Sequence, residues 1–299
     1  MAIVVTDNMR GAGYLAATMA LFTLGDACTK FIGTDIPLLQ YLFLRGFLAS
    51  ILIAVLAWRT HALRFNLPRK DWALLLMRSG AEMIAVYFFL SALLRMEIAN
   101  ATAVLQVLPL TVALGATLFF KEPMGKWRVI AILIGFCGTL LIVRPGPSGF
   151  PVESIYALIT VVFVTARDLL ARRMSPAVPS LMGALIMALV VTTVSAIATL
   201  QAEWTPVSID TGALIVLASF LIAGGYLFSV MSMRVGEITF IAPFRYTSLI
   251  FALIFGLLIF GDWPDNLTLL GAAIVISSGL FTLYRETRAK RRQLKARRT

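Results

Sequence analysis

Charged side chains stand where the chain is otherwise apolar: Asp26, Arg45, Arg78, Glu82, Arg167, Asp168 and Arg245, with Lys30 nearer the end of its run. The stretch FTLGDACTKF, residues 22–31, shows the pattern most plainly. A charge at the centre of a membrane-spanning helix costs roughly 2.5–3.5 kcal/mol on insertion scales, so each one needs a partner, water or a function. Carboxylates and guanidinium groups at depth offer three kinds of chemistry: they pair with one another, they hold an ion or a zwitterion, or they titrate. No HExxH, paired intramembrane aspartates or Ser/His set accompanies them, which disfavours an intramembrane enzyme.

The elements that position these groups follow from composition. The chain has 299 residues, of which 60% are hydrophobic and 14% charged, and its mean hydropathy is +0.90. A soluble domain carries nearer a quarter charged residues. Apolar runs of about 20 residues, the helical length that crosses a bilayer core, recur with short polar breaks. The reading is an all-α polytopic membrane protein with ten transmembrane helices, at about 12–32, 37–58, 72–94, 97–120, 127–143, 153–173, 178–200, 211–233, 237–260 and 266–284. A sensor would need a cytoplasmic output surface, and the short connections offer little.

The formal net charge of +11 is concentrated in the tail that begins at Arg285, directly after an apolar run. That placement predicts contact with anionic lipid headgroups rather than nucleic acid. Cys28 and Cys137 lie in apolar spans and provide neither a metal set nor a disulfide framework, and His61 is the only histidine. No metal or cofactor is expected. The opening residues MAIVVTDNMR lack the pattern of a removable signal peptide. With the N-terminus inside, the inner connections hold Arg59, Arg64, Arg69, Lys70, Lys121, Lys126, Arg172 and Arg173, whereas the outer ones hold mostly acids. The positive-inside rule then predicts a cytoplasmic-membrane protein with both termini in the cytoplasm.

The chain repeats itself. A shift of 142 positions brings Tyr14 onto Tyr156, Thr23 onto Thr165, Asp26 onto Asp168, Lys30 onto Arg172 and Pro37 onto Pro179. A shift of 140 brings Glu97 onto Glu237 and Glu122 onto Asp262. Two copies of five helices follow, in domains 12–144 and 152–285 with a basic tail over 286–299. Five is odd, so the second copy crosses the membrane in the opposite sense. Such inverted repeats characterise secondary transporters, whose halves exchange conformations to open on either side.

Residues 95–146, with Ala99 to Ala103, Pro109, Lys121-Glu122 and Gly135 to Gly138, resemble the fourth and fifth helices of an EamA domain of the drug/metabolite transporter superfamily. Residues 41–58, with Arg45 early in the span, resemble its second helix. The second copy departs at Leu249, where Pro109 would fall, and at Asp262-Trp263, which replaces Glu122-Pro123. The resemblance covers nearly the whole chain. It implies a carrier of small metabolites, without ATP hydrolysis, whose cavity is lined mainly by the third, fourth, eighth and ninth helices; no GxxxxGK[ST] loop occurs, in keeping with that. Among the activities it allows, export of aromatic or other neutral amino acids leads here, with uptake of a cationic cofactor such as S-adenosylmethionine as the alternative.

Symmetry then sorts the charges. Asp26, Lys30, Arg45, Asp168 and Arg172 flank the midplane, and the acid/base pairs recur in both halves, so they are read as structural or gate-locking. Asp26 is placed to pair with Lys30 one helical turn away or with Arg45 at a similar depth. Arg78 and Glu82 share a face of the third span, but Ala218 and Ile222 stand at the repeat positions; Arg245 corresponds to Leu105. A substrate without two-fold symmetry needs such asymmetric contacts. Arg245 or Arg78 is therefore assigned to an anionic group, and Glu82 to an ammonium or to titration. Tyr87, Asn100, Gln106, Tyr226, Ser229 and Tyr246 complete the expected lining. A buried ion pair that only fixes helix register is the competing reading of Glu82. Pro109 and Pro243, in related spans, are candidate hinges because proline removes a backbone donor. Monomer and homodimer both stay open.

Overall fold

The computed structural model describes residues 7–121, 126–144, 151–200, 202–235 and 238–296, and the described residues form helices and short connections only. In chain order the α-helices are α1 (Asp7–Ile32), α2 (Leu38–Arg59), α3 (Arg69–Leu93), α4 (Ile98–Leu105), α5 (Leu108–Phe120), α6 (Lys126–Val143), α7 (Val152–Arg173), α8 (Ser180–Thr199), α9 (Ile209–Val235), α10 (Ile238–Ile241), α11 (Thr247–Phe255) and α12 (Asn266–Ala296). A 3₁₀ turn over Ala242–Tyr246 joins α10 to α11, and a π turn over Gly256–Phe260 follows α11. Among the described residues nine segments are long and apolar enough to cross a membrane, and a further apolar helix over Val129–Val143 is shorter. Ile51, Val55, Leu133, Val162, Phe220 and Leu258 point outward, as lipid-facing side chains should.

Prolines start several of these helices. Pro37, Pro68, Pro151 and Pro179 occupy the position before α2, α3, α7 and α8 in extended conformation. A proline there gives up no helical hydrogen bond and holds the entering backbone straight. Two expected spans are interrupted. The fourth breaks at Gln106 and Val107 between α4 and α5, with Pro109 in the first turn of the new helix. The ninth breaks at the 3₁₀ turn that contains Pro243. At the C-terminal end α12 continues as one helix from the last span through the basic residues to Ala296. Glu122 and Glu237, used above to align the halves, lie outside the described residues.

Helix pairing follows the repeat. The first span packs on the eighth (α1 on α9), and the sixth packs on the third (α7 on α3). Exchanging the halves converts one interface into the other. The second and seventh spans pair with each other (α2 on α8), as do the fifth and tenth (α6 on α12) and the fourth and ninth (α4 on α11). Contacts between equivalent residues mark the pseudo-two-fold axis. Ser50 and Thr192, equivalent at the 142 shift, face each other at 3.4 Å, and between the fourth and ninth spans Gln106 Nε2 donates at 3.0 Å to Ser248 Oγ, two residues past its equivalent Tyr246. Between α6 and α12 a methyl on Gly138 would come 2.8 Å from the Gly271 carbonyl, and one on Gly271 would come 2.6 Å from that of Gly138. Small residues let those two backbones touch.

Candidate functional site

The two crossed interfaces bring the intramembrane charges together, and they do so unequally. Between α3 and α7, Arg167 Nη1 donates to Glu82 Oε2 at 2.7 Å. The same guanidinium holds Asp168 Oδ1, through Nε at 2.9 Å and Nη2 at 2.8 Å. Glu82 is only 6% exposed. Two carboxylates on one planar guanidinium are a geometry that repays much of the desolvation cost of burying charge. Glu82 was expected to meet an ammonium or to titrate; here Arg167, projecting from the opposite helix, is its partner.

Arg78 and Arg245 stand beside this triad. The charges of both reach Asp168, yet neither has a carboxylate within 4.0 Å among the described residues. The Arg78 guanidinium lies against Gly183 of α8, 3.6 Å from where a methyl there would sit. Tyr226 of α9 is in the field of Glu82, Arg167, Arg78 and Arg45. Its hydroxyl donates to Met187 sulfur at 3.4 Å, and its ring meets Phe22 edge-on at 5.3 Å. With Glu82 and Asp168 counted against Arg78, Arg167 and Arg245, the group carries two negative charges and three positive ones. The surplus is one positive charge.

The repeat-related place on α1, α2 and α9 is built differently. Asp26 is the mate of Asp168, but Gly25 stands where Arg167 would, and Ile222 where Glu82 would. A methyl on Gly25 would meet Ile222 Cγ1 at 3.7 Å, so this copy of the interface is an apolar contact. On α2, Arg45 replaces Met187 and Tyr41 replaces Gly183. Arg45 is 8% exposed and lies over the Tyr41 ring at 5.2 Å, and the Tyr41 and Thr29 hydroxyls share a 2.5 Å hydrogen bond. Arg45 acts on Asp26 only across a longer gap. Among the described residues Asp26 has no cation within 4.0 Å and no side-chain hydrogen bond.

Lys30 does not pair with Asp26. Its ammonium donates to the Met96 carbonyl at 2.6 Å, lies 3.7 Å from Asp262 and sits 5.4 Å from the centre of the Phe260 ring. A lysine near a helix end extends its stem toward the interface and leaves the deeper carboxylate behind. At that end of the bundle, opposite the termini, Lys30 thus ties α1 to the α3–α4 turn and to the turn before α12. Glu97 in the same turn has its carboxyl held above the ordinary range, first by burial and then by the neighbouring Asp262. In the mate, Asp168 is bound by its neighbour Arg167, while Arg172 stands in the last turn of α7.

The remaining expected lining is scattered. Gln106 Nε2 bonds the Thr102 carbonyl at 3.1 Å as well as Ser248, so it serves the axis and the α4–α5 break. Tyr87 rests edge-on against Phe88 at 5.5 Å. The Tyr246 hydroxyl is enclosed without a partner against Gly279, and Asn100 Oδ1 is likewise enclosed. The Ser229 carbonyl accepts from Ser232 Oγ at 2.8 Å. Arg167 is the residue the expected site lacked. Its signal was available: by the asymmetry test applied to Arg78 and Glu82, an arginine whose repeat position is Gly25 belongs with them.

Comparison with known proteins gives one consistent picture. Residues 9–144 and 152–284 each match the EamA-like transporter family. The chain is 24% identical to the S-adenosylmethionine uptake transporter of Rickettsia conorii, over 95% of this chain and 96% of the relative. It is 27% identical to a riboflavin transporter of Vibrio cholerae, over 87% and 86%. It is 25% identical to the pseudopaline exporter CntI of Pseudomonas aeruginosa, over 89% and 93%. A crystal structure with a TM-score of 0.63 covers 91% of this chain and 96% of its own at 15% identity, a likeness of fold alone.

Proposed function

The chain belongs to the EamA-like transporter family, and from that premise we propose that it carries a small metabolite bearing an amino-acid group across the cytoplasmic membrane by alternating access. The observation that carries this reading is the pair of guanidinium groups, Arg78 and Arg245, with no carboxylate within 4.0 Å among the described residues, beside a triad in which Arg167 holds both Glu82 and Asp168. A substrate carboxylate supplies what they lack. The substrate's cationic part meets the oxygens of Asp168 and Glu82 that Arg167 leaves open. Glu82 is then shared between Arg167 and substrate rather than reserved for an ammonium. Tyr226 and Phe22 form an aromatic wall for a ring or an apolar chain.

S-adenosylmethionine is the first substrate to test. It combines an α-amino acid end with a positive sulfonium and an aromatic base, and relatives aligned over nearly the whole chain carry it. Export of free amino acids rests on the same two arginines and differs in what fills the rest of the cavity. The halves 12–144 and 152–285 are the rocking units. The positive-inside rule supports a cytoplasmic side for both termini, from the basic connections, and contact of the tail over 286–299 with anionic headgroups.

Counterflow of radiolabelled S-adenosylmethionine into proteoliposomes, with unlabelled S-adenosylmethionine, methionine, phenylalanine and riboflavin as competitors, tests the reading. S-adenosylmethionine should compete best and riboflavin poorly. Equal competition by methionine and phenylalanine would favour amino-acid export. If no amino-acid-bearing compound is exchanged or competes, the proposal fails.

A further inference from the structure

Asp168 and Asp26 are the same carboxylate in the two halves, and only one of them is neutralised by contact. Asp168 has the Arg167 guanidinium at 2.8–2.9 Å. Asp26 has Gly25 in that place and, among the described residues, no cation within 4.0 Å. An ionised carboxylate held at depth without a partner carries a cost of several kcal/mol, and taking up a proton removes it. We propose that Asp26 is the proton site of this carrier: it binds a proton in one conformation, releases it in the other, and so couples transport to the pH gradient. The step is a proton transfer between water and the carboxylate, with no other bond made or broken.

The neighbours of Asp26 support exchange rather than permanent neutrality. On α2, Arg45 and Tyr41 are in its electrostatic range, and Cys28 is in range on α1 itself. Lys30, one turn away on α1, is held by Met96 and Asp262. On α9 Gly25 faces the Ile222 and Leu221 side chains and the Ala218 carbonyl, and the titratable side chain nearer the Glu82 group is Tyr226. On α3 the nearest acid, Glu82, is held by Arg167. The residues of α4, α10 and α11 include no titratable side chain, and the 3₁₀ turn adds Arg245 and Tyr246. Arg45, whose charge already acts on Asp26 and which has no carboxylate within 4.0 Å among the described residues, is the cation that turns toward it. Loss of the proton draws it off the Tyr41 ring, and return of the proton lets it go back. A local charge change then becomes a movement of α1 against α2.

This inference rests on the carrier reading, and two measurements keep the two apart. In the first, infrared spectra of the reconstituted protein are recorded across pH for wild type and for Asp26→Asn shown to be monodisperse. The carbonyl band of a protonated carboxylic acid should titrate away in wild type and be missing in the variant. A band unchanged in the variant overturns the proposal without any assumption about substrate. In the second, S-adenosylmethionine accumulation is driven by a gradient of one pH unit with the membrane potential clamped at zero. Wild type should change the internal concentration up to about tenfold relative to no gradient, as one proton per substrate allows. Asp26→Asn should lose that response and Asp26→Glu should restore it. Counterflow that is normal but indifferent to the gradient in wild type overturns the proton site and spares the carrier; absence of counterflow removes the S-adenosylmethionine reading and leaves the infrared result to decide on Asp26.

Discussion

The α3–α7 and α1–α9 interfaces are the same contact taken from opposite halves of the chain. At the centre of one, Glu82 meets Arg167, and at the centre of the other Ile222 meets Gly25. On the flanking helices the roles reverse, with Gly183 opening space for Arg78 in the second half while Tyr41 carries Arg45 in the first. The backbone needs symmetry in order to alternate, whereas a substrate needs an asymmetric set of contacts. This molecule meets both demands by keeping its helix pairing and its two aspartates in common and placing its arginines differently.

Copying one half's residues into the other is the most severe way to break that contrast. Arg167→Ala strands two buried carboxylates and should destabilise the protein by about 3–5 kcal/mol. The double change Glu82→Ile with Arg167→Gly, which reproduces the α1–α9 contact, should recover most of that stability while leaving transport abolished. Thermal unfolding in detergent beside counterflow reads both. If the double variant is as unstable as the single one, the two interfaces are not equivalent packings.

Arg78→Ala and Arg245→Ala come next. Each removes a charge-assisted hydrogen bond to substrate worth about 1.5–3 kcal/mol, or roughly 10–100-fold in affinity, with little change in stability, since neither arginine has a carboxylate within 4.0 Å among the described residues. Titration of substrate binding checks this. Gly138→Leu, at the α6–α12 contact near the axis, should cost about 1–3 kcal/mol by overpacking and leave substrate preference alone, which separates scaffold from site.

The smallest effect is expected at the connection before α12. There the Asp265 carboxylate accepts from the Thr268 backbone N–H at 2.8 Å and binds Arg144. Arg144 and the helix cap hold its carboxyl down at about 2. A depressed carboxylate contributes fully above its unfolded value near 4 and loses the contribution as pH falls through about 2. Asp265→Ala should therefore cost about 1 kcal/mol at neutral pH, the usual worth of a helix cap, and the cost should vanish in strong acid.

Much of this was legible in the residues. Apolar run lengths gave the spans, and the spacing of Tyr14, Asp26 and Pro37 against Tyr156, Asp168 and Pro179 gave the repeat. Those features depend on local pattern, which a bilayer enforces strictly. The partners of Lys30 and Glu82 depend on which helix faces which, and a span's own sequence does not say. The breaks at Gln106 and at Ala242–Tyr246 were signalled by Pro109 and Pro243, but apolar content alone reads straight through them. Arg167 was overlooked because it adjoins Asp168, whose recurrence made the neighbourhood look symmetric.

The account depends most on substrate meeting the unpaired arginines. Counterflow of radiolabelled S-adenosylmethionine by the Arg78→Ala/Arg245→Ala double variant, shown to be folded, tests that directly beside wild type. The prediction is saturable exchange in wild type and at least a tenfold loss in the double variant at low substrate concentration. Equal exchange by the two proteins would contradict it and place the substrate elsewhere in the bundle.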